Sequence, residues 1–178
     1  MPNYRRAFIP GGCWFFAVNL LDRRGSLLTD RIDALRDATR HVMRSRPFRI
    51  DAFFVLPDHL HAIWTLPPGD ADFPTRWRLI KTRFARAVPP GERRSAARLA
   101  RGERGIWQRR YWEHAIRDED DYHRHVEYCA INPVKHGLVT RVRDWPYSSF
   151  HRDVRAGIFP EDWAGDVEDG AFGERGGM

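Results

Sequence analysis

Leu56-Pro57-Asp58-His59-Leu60-His61-Ala62-Ile63-Trp64 interrupts one β-rich segment and starts another. The residues before it, Phe48 to Leu56, are rich in β-branched and aromatic side chains, and Pro57-Asp58 breaks that run. A second strand then runs from the histidines to Leu66. Alternation along a strand sends His59 and His61 to one face and Leu60, Ala62 and Trp64 to the other. The two imidazoles have two readings: ordinary polar residues on a solvated sheet face, or a pair able to grip one ion.

Upstream, Tyr4-Arg5-Arg6 is a short basic arm, and Pro10-Gly11-Gly12 permits a tight turn before a strand over Cys13 to Leu21. Those glycines either start the strand or bring main-chain N–H groups against a nucleic acid. Asp30 is read as the cap of a helix whose Ile32, Leu35, Ala38, Thr39, Val42 and Met43 recur at helical spacing. Downstream, Asp70 to Asp72 introduces a second helix. Its Phe73, Trp77, Ile80, Phe84 and Val88 form one stripe, and Arg76, Arg83 and Arg86 lie off it as a solvated face or a phosphate track.

Pro89 to Gly105 is rich in Pro, Gly, Ala and Arg and reads as a mobile basic loop. Ile106 to Ile116 resumes order and adds a strand; His114, within it, is structural or lines a cleft. Asp118-Glu119-Asp120-Asp121 suits the positive end of a helix dipole, with Asp118 the N-cap. Pro133 predicts that this helix ends near Ile131. Tyr122, Val126 and Cys129 form its expected buried stripe, with Asp121, His125, Tyr128 and Asn132 along the border. If the helix leans beside the histidine strand, Tyr128 and Asn132 both look at His59 and His61. The segment 141–178 is too polar for a second domain; it is expected to wrap a domain spanning 1–140 and to fray after about Gly170.

The 178 residues, 42% hydrophobic, suffice for one well-buried domain. Thirty Lys and Arg against 24 Asp and Glu give a formal charge of +6. Much of that excess is arginine interleaved with tryptophan, which favours a polyanion over a merely basic soluble protein. Cys13 and Cys129 form no disulfide framework, and no long apolar run opens the chain, so a reduced, cytosolic, non-membrane protein is expected.

Two imidazoles plus an amide or carboxylate oxygen suit Mg²⁺ or Mn²⁺, with Zn²⁺ possible on ligand type. An ion held there polarises a phosphate oxygen. Tyr128 is then either a core tyrosine or a nucleophile that stores the phosphodiester bond as phosphotyrosine. His125 with Asp121 either supports the site from behind or lies on the surface.

Three stretches together carry a family resemblance. They are Pro57-Asp58-His59-Leu60-His61, then Trp107-Gln108-x-x-Tyr111-Trp112-Glu113-His114, then Tyr128-x-x-x-Asn132-Pro133-Val134-Lys135-His136-Gly137-Leu138-Val139. With Gly11-Gly12 and Trp145-Pro146-Tyr147-Ser148-Ser149-Phe150-His151-Arg152, they resemble the REP-associated tyrosine transposases, within the single-tyrosine HUH nucleases. The resemblance implies an α+β, ferredoxin-like antiparallel sheet with packed helices. It makes His59 and His61 metal ligands, Asn132 a third ligand where insertion-sequence relatives carry glutamine, and Tyr128 the nucleophile. His114 and His125 become candidate supports of that site. It implies single-stranded DNA hairpins as substrate, REP elements with a short guide tetranucleotide, for a monomer or homodimer. Gly11, Gly12, Arg5 and Arg6 become candidates for holding the guide bases. A non-catalytic hairpin-binding protein is the alternative from another class. A replication initiator or relaxase would need a larger chain.

Overall fold

The computed structural model describes residues 7–165. Four strands, β1 (Cys13–Asn19), β2 (Arg49–Val55), β3 (His59–Thr65) and β4 (Trp112–Ala115), form one antiparallel sheet in the order β2-β3-β1-β4. β3 and β1 are central, so their side chains are buried on both faces, and β3 reads as a continuous buried run. On one face, Trp14, Phe16, Leu60, Ala62 and Trp64 pack beneath α2 (Ile32–Ser45) and α3 (Phe73–Ala87). On the other, Phe15, Ala17 and Ile63 pack beneath α5 (Glu119–Lys135). This is the ferredoxin-like arrangement that the resemblance implied, and the alternation read for β3 holds.

The predicted stripe of α3 is buried, with Trp77 stacked on Trp64 at 4.1 Å between ring centres. Asp72 caps this helix by accepting from the Thr75 amide, and Asp118 caps α5 by accepting from the Asp121 amide.

Five expectations are corrected. Asp30 caps nothing: it closes a separate short helix, α1 (Leu27–Asp30), where its carboxylate accepts from the Ser26 hydroxyl. The extra turn forms because Leu28 is drawn fully into the core while its amide bonds the Pro57 carbonyl. Arg76 is no phosphate contact. It is 1% exposed, fastened to both oxygens of Asp70 and to the carbonyls of Arg46, Pro47 and Asp72. α5 does not stop before Pro133 but runs through it to Lys135. The missing proline N–H costs one helical bond at Cys129, yet Asn132 and Pro133 are both buried, and the end is closed by His136, Gly137 and Leu138 amides. The border predicted on α5 is itself buried at Asp121, His125, Tyr128 and Asn132, whereas Tyr122 is half-buried. Finally, Pro89 to Gly105 contains a helix, α4 (Ala96–Ala100), and Arg104 ties the segment to the end of α3.

That tie has a pH signature. Arg104 bonds the Glu92 carboxylate and the carbonyls of Ala85, Val88 and Pro89. The Arg104 guanidinium holds the Glu92 carboxyl down at about 2. A depressed carboxyl stabilises the fold above its unfolded value of about 4.3 and loses that contribution as pH falls toward its folded value. Glu92→Gln is therefore expected to lower stability by about 1 kcal/mol at pH 6, since the pair lies close to solvent. Urea unfolding at stepped pH checks this: the gap between wild type and variant closes between about pH 4.3 and pH 2.

Residues past 140 pack along the β2 edge. Trp145 donates its indole N–H to the Val55 carbonyl, the Val55 amide bonds the Tyr147 carbonyl, and the Ser149 amide bonds the Phe53 carbonyl. A short helix, α6 (Phe150–Arg155), then buries Phe150 beneath the sheet. Arg5, Arg6 and the expected fraying after Gly170 lie outside the described residues.

Candidate active site

Strand alternation places His59 and His61 on the α5 side, where neither is solvated: they are 2% and 0% exposed. The reading of a solvated sheet face is thereby overturned. Their ring centres lie 5.1 Å apart. α5 crosses beneath, so the Tyr128 ring stands edge-on to His61 at 5.3 Å. Asn132, one helical turn further along α5, is fully buried. The helix that continues through Pro133 is what keeps Asn132 in line with Tyr128.

The His59 ring is held from the turn before it. Its Nδ1 lies 2.7 Å from Asp58 Oδ1, and Arg23 Nε donates to Asp58 Oδ2 at 2.6 Å. Burial alone would raise the Asp58 carboxyl, but hydrogen bonds from His59 and Arg23 outweigh it and hold it at about 2. An ionised Asp58 accepts the Nδ1 hydrogen, which leaves the lone pair of His59 on Nε2, as carboxylate-backed ligand histidines do.

The donor set fits a divalent ion. Besides the two imidazoles, α5 supplies the Asn132 Oδ1 atom, which is buried and has no hydrogen-bond donor among the described residues, while its Nδ2 lies 3.5 Å from the Tyr128 carbonyl. An orphaned buried oxygen costs about 1–3 kcal/mol. Coordination to a cation would remove that cost, and oxygen plus imidazole is a donor set that Mg²⁺ or Mn²⁺ accepts.

Two side chains missed in the sequence border the site. His136 packs its ring 5.1 Å from His59, and Lys135 places its ammonium 5.3 Å from the centre of the Tyr128 ring. Both sit in the Asn-Pro-Val-Lys-His-Gly run, so the signal was present but could not be assigned while the helix was taken to end at Ile131. Asp58 and Arg23 were missed because they meet 35 residues apart.

Other candidates are placed elsewhere. Gly11 and Gly12 precede the end of β1 that pairs with Thr65, whereas His59 pairs with Asn19 at the opposite end, about 20 Å along the strand. Their amides donate to the Asp70 and Ile9 carbonyls, so they do not present free N–H groups. Arg83 and Arg86 are exposed on α3, on the other face of the sheet from Tyr128. His114 and His125 join Asp121: His114 Nε2 lies 2.8 Å from Asp121 Oδ2, and the surface reading of His125 fails because it is 6% exposed.

No family model matches the chain. It is 54% identical over 175 residues to the REP-associated tyrosine transposase of Escherichia coli (strain K12), covering 98% of each. A Haemophilus influenzae relative carrying the same family name is 48% identical over 169 residues, covering 94% of this chain and 96% of that protein. The solved structure of a REP-associated tyrosine transposase bound to a REP hairpin superposes over 100% of both chains, with a TM-score of 0.87 at 53% identity.

Proposed function

The chain belongs to the REP-associated tyrosine transposase family, and from that premise we propose that it cuts and rejoins single-stranded DNA at REP-type hairpins, with Tyr128 as nucleophile and a divalent ion as cofactor. The observation that carries the reading is the Tyr128 ring standing 5.3 Å from the His61 ring, with Asn132 buried one turn further along α5.

In this reading the Tyr128 oxygen attacks a backbone phosphorus and the bond from phosphorus to the 3′ oxygen breaks. The products are a 5′-phosphotyrosine and a free 3′-hydroxyl, and attack of a 3′-hydroxyl on that linkage reseals a strand. A Mg²⁺ or Mn²⁺ ion would be held by His59, His61 and Asn132, and would polarise the scissile phosphate. The protein's own part is positional. Asp58 orients His59, Phe15 backs His61 with its ring stacked at 5.7 Å, and Lys135 holds the Tyr128 ring while bringing positive charge beside the phosphate's expected place. The exposed Arg83 and Arg86 would contact DNA outside the reacting centre. Among the described residues no helix is long and apolar enough to cross a membrane.

The test uses end-labelled REP hairpin oligonucleotides on a denaturing gel. With Mn²⁺ or Mg²⁺, a slow band of protein-linked DNA and a cut product are expected; a chelator removes both and fresh metal restores them. His59→Ala is expected to lower that yield at least about 100-fold, as loss of a ligand that fixes the ion's geometry does. Tight hairpin binding without cut or linked DNA at any metal concentration would turn the assignment toward a non-catalytic hairpin-binding protein.

A further inference from the structure

His114, on β4, meets Asp121 and His125, one turn apart on α5, at a point that shares no residue with the site above. One nitrogen or oxygen from each lies within 4.8 Å of the others. His114 Nε2 is 2.8 Å from Asp121 Oδ2. His125 Nδ1 is 3.2 Å from Asp121 Oδ1 and 2.8 Å from the Asp121 carbonyl oxygen. The two imidazoles stack at 4.6 Å, only 12° from parallel. The Phe15 ring stands between this cluster and the first one, 4.8 Å from His125 and 5.7 Å from His61.

We propose that His114, Asp121 and His125 form a second metal site that takes a transition ion of the Zn²⁺ class and fastens β4 to the start of α5. Two imidazoles and one carboxylate are the ligand set of such ions, and three protein ligands leave coordination positions for water. Two ligand atoms bound tetrahedrally at about 2.0–2.1 Å to one ion sit about 3.3 Å apart; the 3.2 Å between Asp121 and His125 is already close to that, and the 2.8 Å hydrogen bond of His114 has to open by about half an ångström. Little rearrangement is needed: the side chains of Asp121 and His125 are 2% and 7% exposed and already fixed, whereas His114 at 27% gives the ion a way in.

The charge states agree with that assignment. Burial would raise the Asp121 carboxyl, but hydrogen bonds from His114 and the Arg117 amide, with the nearby imidazoles, hold it well below the usual carboxylate range. Burial pushes His125 below its ordinary value, which keeps it neutral and able to ligate. Arg117 and Arg124 each reach Asp121 at 3.4 Å, but their side chains are 70% and 57% exposed, so both can withdraw into water when an ion supplies the positive charge. On binding, the proton between His114 Nε2 and Asp121, and the one that His125 Nδ1 donates to the Asp121 carbonyl, each move to the far nitrogen of the same ring or to solvent.

The full chain, stripped by chelator, is titrated with Co²⁺ and followed by its visible absorption. Two equivalents are expected for wild type and one for His59→Ala/His61→Ala; adding His114→Ala to that double variant should leave none. In the double variant Zn²⁺ should raise the melting temperature, and His114→Ala should cancel the rise. Failure of the double variant to take up Co²⁺ would overturn the second site. If that variant does not fold by circular dichroism, wild type against His114→Ala decides: a loss of one equivalent supports the site and an unchanged count refutes it. One equivalent in wild type that survives His59→Ala/His61→Ala would keep this site while removing metal from the nuclease reading, so the two failures are distinct.

Discussion

Tyr128→Phe is expected to abolish covalent capture and cleavage of REP hairpins, by at least about 10³-fold, while hairpin affinity stays within about twofold. The substitution deletes one oxygen and keeps the ring, which packs against His61 and Phe15 beneath the Lys135 ammonium. The fold therefore keeps its packing, and activity loss cannot be ascribed to unfolding. The other tyrosine of α5 serves as the control. Burial, then the charge of Asp51, pushes Tyr122 up to about 12, so it is a poor nucleophile at neutral pH, and Tyr122→Phe should leave the covalent band intact. A wild-type yield of linked DNA in Tyr128→Phe would place the nucleophile elsewhere.

The largest effect on stability is expected at Arg76. Arg76→Ala removes a buried cation from a carboxylate and three carbonyls at once, and the guanidinium also lies 5.9 Å from the Phe48 ring centre. Removing one partner of a buried pair costs about 3–5 kcal/mol; Asp70 keeps a third of its side chain in water, which favours about 3. For a chain of this size that is a fall of roughly 10 °C in melting temperature. Arg83→Ala/Arg86→Ala should do the opposite. It leaves the melt unchanged and reduces the salt slope of hairpin binding by up to about 2 if both touch phosphates. Arg76→Ala melting like wild type would refute the structural role given to its guanidinium.

Those three arginines show what a linear reading can resolve. Helical spacing removes all of them from the apolar stripe of α3, yet Arg76 sinks because Asp70 and the 46–47 carbonyls close over it, and that closure depends on where α2 ends. That His59 and His61 share one face, and Tyr128 and Asn132 another, was legible because strand alternation and an i, i+4 spacing are local geometry; the roles proposed for them came only with the family resemblance. Their near-complete burial was not, since it depends on α5 lying across β3. Pro133 misled because the rule for residues before proline treats an isolated helix end, whereas here Asn132 and Pro133 are packed. Glu92 and Arg104 sat within a composition that reads as loop, and only their pairing reveals order there.

The outer edge of β2 has a bearing on self-association. A strand normally offers its last row of N–H and C=O groups to any partner that can extend the sheet. Here the 147–149 segment occupies groups of Phe53 and Val55, and the Arg152 side chain covers the Ile50 and Asp51 carbonyls. Two copies therefore cannot fuse their sheets through β2 without first peeling this segment away. A continuous intermolecular sheet is left with β4, four residues long, which offers too short a ladder to hold a dimer by main-chain pairing alone.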